Sequence, residues 1–330
     1  VQHYDWGDRR FLPDLLGVEP DHRPWAEFWL GTHPSGPTRL DDGSTLRALV
    51  GELPYLLKVV SAAEPLSLQA HPNTEQAVDG HSRGIFPDPH AKPELLCALT
   101  PFEAFCGLRP DDRTETLLNE IGATELAAAV ARRGAGVVLH GLYRGSIDPR
   151  PAIEACKGNR RPEADWVTRL DGLYPDEPSV AATLLLNHVI LEPGEALHLT
   201  AGNLHAYLRG SGIELMGASD NVLRGGLTRK HVDVEGLLAI LDTRPLPQPV
   251  MQDTGDGTHY DLPEAGVSLR RLAAGNAHTS AGNEIVMSTD GSAWFLPEGA
   301  VYAPTAEAFV VVTVSDGMVS DTASASRFTF

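Results

Sequence analysis

Short apolar runs separated by turn-forming residues fill the first hundred positions of the chain. Typical stretches are AEFWLGTHPSGP, YLLKVVSAAEPLSLQAHP and KPELLCALTPFEAFCGL. Apolar runs that are bounded by Pro and Gly are typical of β-strands joined by tight turns. The chain contains 32 Gly and 25 Pro in 330 residues, so we expect many short strands and few long helices.

The pattern changes in the middle of the chain and then changes back. Stretches such as TETLLNEIGATELAAAVARR and ADWVTRLDGLY repeat apolar residues at helical spacing, whereas HVILEPGEALHL and, later, AFVVVTVS are strand-like again. The segments PGEALHLTAG and PEGAVYAPTA also resemble each other, which indicates two copies of one β-fold. We predict a mainly β protein with an α-helical insertion: a catalytic β domain from residues 1–109 and 187–245, a helical domain from residues 110–186, and a second β domain from residues 246–330.

Charge and composition restrict the partners of this chain. Its 44 acidic and 26 basic residues give a formal net charge of −18, which repels nucleic acid and anionic membranes. No apolar run is long enough to span a membrane, and no signal peptide is recognised. Cys97, Cys106 and Cys156 show no paired spacing, so we expect free thiols in a reducing compartment. We expect a cytoplasmic protein, a monomer or weak oligomer, that binds neither nucleic acid nor membranes.

The run GEALHLTAGNLH, from Gly194 to His205, is the most informative motif. It resembles the second motif of the cupin superfamily, with Thr200 where Pro is usual. The first Gly turns the chain into a strand, and the Ala-Gly turn directs His205 into the mouth of a small β-barrel. The resemblance implies that both β domains are cupin-type jelly-roll barrels.

The first cupin motif supplies further candidate metal ligands. Gln69 and His71 stand where cupins carry His-x-His, and residues two apart in a strand share one face. Glu94, in KPELL, takes the place of the cupin glutamate. A single strand histidine is more often structural, but two matching motifs favour a metal site. The set Gln69, His71, Glu94 and His205 suits one Zn²⁺, with Mn²⁺ or Fe²⁺ as rivals.

Several longer stretches are more specific than the cupin motifs. VQHYDWG, HAKPELLCALTPFEAFCGL and TAGNLHAYLRGSGIELMGASDNVLRGGLTRKHVDV occur in the same order as in the type I phosphomannose isomerase family, which the chain resembles over its β-rich parts. The resemblance implies an aldose–ketose isomerase with one Zn²⁺ per chain. Members of the family interconvert mannose 6-phosphate and fructose 6-phosphate through a cis-enediolate. This reaction supplies mannose metabolism and GDP-mannose synthesis.

The resemblance also implies roles for single residues. Arg224, in SDNVLRGGLT, matches the essential arginine of the family and suits a fixed positive charge beside the enediolate. Lys92 and Glu214 are alternative groups for proton transfer, and Asp220 is a candidate for ring opening. Structural roles compete with these: Glu214 paired with a lysine, or Asp220 paired with Arg224 in a turn. The positions that match the substrate pocket are Trp6, Lys58, Ser67, Tyr207 and Lys230.

The sequence departs from the family pattern at two places. Ala91 replaces the family histidine before Lys-Pro-Glu, with His90 one position earlier. The segment PEGAVYAPTAEAF has no counterpart of His205, so we expect the second β domain to hold no metal.

Two rival functions fit the same motifs. They are another metal-dependent cupin, such as a dioxygenase or a different sugar isomerase, and a non-catalytic sugar-phosphate-binding cupin. Gln69 disfavours a dioxygenase, because these enzymes prefer histidine and carboxylate ligands.

Overall fold

A computed structural model describes residues 1–313 and 325–328 of the chain. Residues 314–324 and 329–330, which belong to the predicted second β domain, lie outside the described residues. Within the described part, no helix is long and apolar enough to cross a membrane.

The first sheet draws its strands from both sides of the helical block. The long strand β8 organises it, because its first half pairs with β3 and β5 and its second half pairs with β2 and β4. All of these pairings are antiparallel. The ten strands are β1 (Glu27–Gly31), β2 (Tyr55–Ala62), β3 (Leu68–Ala70), β4 (Glu94–Ala98), β5 (Phe102–Leu108), β6 (Leu186–Leu191), β7 (Ala196–Leu199), β8 (His205–Gly217), β9 (Leu223–Gly226) and β10 (Val250–Met251).

The helical block lies between β5 and β6, and it packs into one apolar cluster with residues of β3, β5 and β8. Cys156 and the other two cysteines are free and buried. The helices are α4 (Asp111–Ile121), α5 (Thr124–Arg133), α6 (Ala135–Tyr143), α7 (Arg150–Cys156), α8 (Pro162–Leu173) and α9 (Pro178–Ala182), followed by a 3₁₀ turn at Thr183–Leu185; α10 (Val234–Ile240) follows β9.

Three short helices in the β-rich part were not predicted: α1 (Phe11–Leu16), α2 (Leu46–Val50) and α3 (Thr74–Ser82). A capping box begins α3: the Gln76 N–H donates to the Asn73 side chain at 2.8 Å, and the Asn73 N–H donates to the Gln76 side chain at 2.9 Å. This box ends the strand-like run that carries Gln69 and His71.

The second sheet contains β11 (His259–Leu262), β12 (Val267–Leu272), β14 (Glu284–Ser288), β15 (Ala293–Leu296), β17 (Ala308–Thr313) and β18 (Ser326–Arg327), and a ribbon of β13 (His278–Thr279) and β16 (Val301–Tyr302) accompanies it. Strand β10 pairs with β7 of the first sheet, so that sheet continues past the predicted boundary at residue 245. The division into three domains stays a prediction.

The buried charged residues of the first sheet lie on one of its two faces. Leu57, Leu95 and Leu215 belong to a single apolar cluster that also contains Tyr260 and Phe309 of the second sheet. Side chains alternate between the faces of a strand, so the intervening residues of β2, β4 and β8 point away from this cluster. Those intervening residues include Lys58, Glu94 and Glu214, all of which are buried. Packing against the second sheet therefore orients the polar face that carries the predicted site.

Leu57→Ala tests this packing. Leu57 is 0% exposed, so the substitution should cost about 2–5 kcal/mol of unfolding free energy through lost burial and a residual cavity. Urea denaturation measures the loss. Metal content should stay unchanged because the Leu57 side chain faces away from the site. Leu49→Ala is the control, since Leu49 is 55% exposed and should change stability little.

Candidate active site

Two imidazoles and one carboxylate converge at the polar face of the first sheet. His71 Nε2 lies 3.4 Å from Glu94 Oε1, and His205 Nε2 lies 3.3 Å from Glu94 Oε2. The ligand-type atoms of the three side chains all lie within 4.8 Å of one another. All three residues are buried. Among the described residues, this is the only group of three or more His, Cys, Asp or Glu side chains with metal-binding geometry.

The bonding of these side chains fits a cation. His71 Nδ1 donates to the Asn221 carbonyl at 2.7 Å, and His205 Nδ1 donates to the Asn203 carbonyl at 2.9 Å. In these tautomers each Nε2 presents a lone pair to the shared space. Neither Nε2, nor Glu94 Oε2, has a hydrogen-bond partner in the described part of the chain. Buried polar atoms without partners are costly, and a bound cation would satisfy all three together.

Burial and nearby charges set the protonation states of His71 and Glu94. Burial lowers the pKa of His71 to about 4, so its imidazole is neutral near pH 7. Burial opposes the charged form of Glu94, but the Lys92 ammonium outweighs burial and holds the pKa of Glu94 well below its usual range. Lys92 Nζ lies 2.9 Å from Glu94 Oε1. The site thus offers the neutral imidazole of His71 and the ionised carboxylate of Glu94.

A cavity of about 610 Å³ opens beside this group. Glu94 contributes to its wall, whereas His71 and His205 do not line it. Gln69 also lines the cavity, and it pairs with His205 across β3 and β8, which places the fourth predicted ligand on the neighbouring strand. Nearly all of the other predicted residues line the same cavity: Trp6, Lys58, Ser67, Lys92, Tyr207, Glu214, Arg224 and Lys230.

Lys58 is held between two carboxylates. Its Nζ lies 3.1 Å from Glu214 Oε2 and 3.6 Å from Glu27 Oε1, and the Tyr207 hydroxyl donates to Glu214 Oε1 at 2.8 Å. Burial opposes the charge of Lys58, but Glu214, Glu27 and Glu94 outweigh burial and raise its pKa. Burial also raises the pKa of Glu214; the charge of Lys58 opposes that rise and the charge of Glu94 adds to it. The charge of Lys58 is therefore already balanced inside the protein.

Arg224 and Lys230 differ from Lys58 because their charges have no carboxylate partner in the described part of the chain. Both line it, and within the described residues neither side chain makes an ion pair or a hydrogen bond. Arg224 does not pair with Asp220, so the structural alternative for that arginine is not supported. Both charges are therefore available to an anionic ligand in the cavity.

Asp220 is the predicted residue that the structure does not bring to the cavity. Its side chain is 62% exposed and lies 3.4 Å from His33 Nε2. Its backbone N–H donates to Asp88 at 3.0 Å, which fixes this orientation just beyond the end of β8. This placement does not support ring opening by Asp220. Ala91 lines a separate cavity, together with His90 and Glu264, and does not line the 610 Å³ cavity.

Glu27 was missed by the sequence analysis, although it lines the cavity and contacts Lys58. Trp29 Nε1 donates to Glu27 Oε2 at 2.7 Å and holds the carboxylate in place. The segment AEFWLG that contains Glu27 was predicted only as a strand. Its contact with Lys58 depends on the register of β1 against β2, in which Trp29 faces Lys58, and no local signal reveals that register.

Comparison with known proteins gives a consistent result. The family model described as phosphomannose isomerase type I, catalytic domain, matches residues 1–111. Mannose-6-phosphate isomerase of Escherichia coli (strain K12) is 33% identical over 308 residues, covering 80% of this chain and 79% of that protein. The Homo sapiens protein of the same name is 32% identical over 304 residues, covering 74% of this chain and 72% of its own length.

Solved structures extend the likeness to the fold. The crystal structure of mannose 6-phosphate isomerase (apo form) from Salmonella typhimurium has a TM-score of 0.81 at 28% identity, and covers 95% of this chain and 97% of its own. A crystal structure of mannose 6-phosphate isomerase bound with zinc and yttrium has a TM-score of 0.79 at 27% identity, with 95% of each chain covered.

The sheets, the helical insertion and the buried His–Glu–His group together define a cupin-type enzyme with a candidate metal centre. The chain belongs to the type I phosphomannose isomerase family. The predictions of the family, of a mainly β cupin-type fold with a helical insertion, and of an enzyme are confirmed. The roles of the individual site residues stay predictions.

His205→Ala should reduce the metal content well below one ion per chain, because it removes one of the two imidazole ligands. Elemental analysis of the purified, folded protein measures the content. His188→Ala is the matched control: the His188 side chain is also buried near a carboxylate, 3.9 Å from Glu103, but lies outside the group. Full occupancy in His205→Ala would remove His205 from the ligand set.

Metal-stripped protein should lose stability as the pH falls from about 6.5 to about 4. The folded-state pKa of His71 is lowered from 6.5 to about 4, so in this window the unfolded chain takes up a proton that the folded chain excludes. The expected loss is on the order of 3 kcal/mol, complete near the lower pH. Urea titrations of metal-stripped protein at several pH values measure it. Stability that is flat over this window would contradict the burial of a neutral His71.

Proposed function

We propose that this enzyme interconverts mannose 6-phosphate and fructose 6-phosphate with one Zn²⁺ held by Gln69, His71, Glu94 and His205. The observation that carries the proposal is the set of three buried, unpartnered ligand atoms beside a cavity that also contains two free cations. The names of the relatives support the substrate, and the zinc-bound neighbour supports the metal. When bound, Zn²⁺ supplies a Lewis-acidic charge next to the sugar oxygens.

The reaction moves a proton between C1 and C2 of the open-chain sugar through a cis-enediolate. Negative charge develops on two adjacent oxygens, and a fixed cation stabilises it best when no other partner neutralises that cation. Arg224 meets this condition, since it lines the cavity without an ion pair in the described residues. Its guanidinium stays charged at any working pH, so it stabilises charge and does not transfer the proton.

Glu214 is the group that we assign to proton transfer. Its carboxylate is buried, lines the cavity and has a raised pKa, which brings its basicity closer to neutral pH. Lys58 and Tyr207 hold the two oxygens of this carboxylate in place. Lys92, the alternative, lies 2.9 Å from Glu94 and balances the charge of that ligand.

The phosphate group of the substrate needs a local positive charge in a protein whose net charge is −18. Lys230 supplies it, with Ser67 as a hydrogen-bond donor in the same cavity. Lys58 was grouped with these cations on sequence grounds, but its two carboxylate partners make it a positioning residue for Glu214. Trp6 and Tyr207 complete the wall of the cavity.

The cellular setting follows the family. We infer a cytoplasmic enzyme, a monomer or weak oligomer, that supplies mannose metabolism and GDP-mannose synthesis. Three buried free thiols fit a reducing compartment. The acidic surface disfavours nucleic acid as a partner.

A coupled assay with mannose 6-phosphate, run beside metal analysis, tests the function. The proposal expects turnover that requires the metal and is far faster than turnover of free mannose. A non-catalytic binding protein would bind the sugar phosphate without turnover, and a different cupin isomerase would turn over another sugar faster. Equal efficiency on mannose and its 6-phosphate would refute the phosphate site.

Arg224→Ala should lower kcat by about 100- to 1000-fold, with a smaller change in KM, because the lost interaction strengthens in the transition state. The rate is expressed per folded, metal-loaded molecule. Arg229→Ala is the control, since Arg229 lies in the same loop and is exposed, but does not line the cavity. A kcat of Arg224→Ala within about threefold of the unmodified enzyme would exclude the catalytic role.

A further inference from the structure

The loop that joins Arg224 to Lys230 has a strained backbone. Leu227 has a φ of 52°, in the left-handed region that residues with a Cβ rarely adopt, and its side chain is 1% exposed. Such a conformation is strained and persists only where neighbours enforce it. Gly226, with a φ of 122°, has no room for a side chain, because a Cβ there would lie 2.2 Å from Ser179.

The helical insertion enforces this conformation. Glu177 Oε2 accepts a hydrogen bond from the Leu227 N–H at 2.9 Å, and Ser179 Oγ accepts from the same N–H at 3.3 Å. The Ser179 hydroxyl in turn donates to Glu177 Oε2 at 2.8 Å, which fixes the carboxylate. The Tyr143 hydroxyl donates to the Gly225 carbonyl. Glu177 stands at the start of α9 but makes no capping bond to that helix, so its carboxylate serves the loop.

The segment from Arg224 to Lys230 contributes to the wall of the cavity at both of its ends. Arg224 and Lys230, its first and last residues, line the cavity and have no side-chain partner in the described part of the chain. Arg224 lies in β9, where it pairs with Gln69 of β3, so the backbone of β9 and of the residues that follow it determines where the two side chains point. The segment just before Glu177 reaches the same cavity, since Leu173 and Tyr174 are part of its wall.

We propose that Glu177 is a positioning residue that holds Leu227 in its left-handed conformation and thereby directs Arg224 and Lys230 at the substrate. The inference rests on the proposed function, in which these two cations meet the enediolate and the phosphate. It makes the helical insertion part of the active site, although the insertion contributes no metal ligand. A misplacement of about 1 Å in such groups is enough to cost about 100-fold in rate.

Three variants test the proposal. Glu177→Ala removes the acceptor, whereas Glu177→Gln keeps an amide oxygen that accepts the Leu227 N–H. Asp111→Ala is the matched control: Asp111 Oδ1 accepts from the Ala135 N–H at 2.8 Å, a bond of the same kind that joins α4 to α6 and does not contact the cavity. For each folded, metal-loaded variant we measure kcat and KM for mannose 6-phosphate, the affinity for inorganic phosphate by calorimetry, and the melting temperature.

Glu177→Ala should lower kcat/KM at least about tenfold and weaken phosphate binding several-fold, while Glu177→Gln and Asp111→Ala stay within about threefold of the unmodified enzyme. Equal losses of melting temperature in Glu177→Ala and Asp111→Ala, with kcat/KM unchanged in both, would overturn the proposal. A Glu177→Gln variant as impaired as Glu177→Ala would also overturn it, because charge and not position would then be the cause. If the unmodified enzyme fails to isomerise mannose 6-phosphate, the proposed function is refuted, and phosphate affinity alone decides the role of Glu177.

Discussion

The buried carboxylate of Glu94 is the constraint on which the rest of the site depends. A carboxylate without counter-charges is expensive to bury. Lys92 supplies one positive charge at 2.9 Å, and the free lone pairs of His71 and His205 leave room for a second. The Nδ1 bonds to backbone carbonyls fix both rings before any ion arrives. These residues therefore form a group that could hold a metal ion.

The same sheet explains why so many charges tolerate burial. Glu27, Lys58, Glu214 and Glu94 lie on successive strands of the polar face, so each carboxylate meets an ammonium or the metal site across a strand pair. The opposite face is apolar and packs against the second sheet. Contacts across neighbouring strands thus place opposite charges next to one another in the interior of the sheet. Among the described cations that line the cavity, Arg224 and Lys230 are the two without an ion-pair partner.

Much of this site could be predicted from the sequence, because the informative residues stand in local motifs. His205 follows its turn and Glu94 follows Lys-Pro, so their places depend on a few neighbouring residues. The contacts of Glu27 with Lys58, and of Glu177 with Leu227, join residues far apart in the chain and depend on strand register and on how the insertion packs. Asp220 was misplaced because it follows the end of β8, where the hydrogen bond to Asp88 sets its direction. The capping box of α3 is a local sequence signal, but the strand-like run before it led to a prediction of strands in this region, without a helix.

Zinc titration into metal-stripped protein, with mannose 6-phosphate isomerisation followed at each point, tests the central claim most directly. The arrangement of His71, Glu94 and His205 predicts that activity rises in proportion to bound zinc and saturates at one ion per chain. Activity in fully stripped protein, or one tightly bound zinc per chain without any isomerisation of mannose 6-phosphate, would contradict the account.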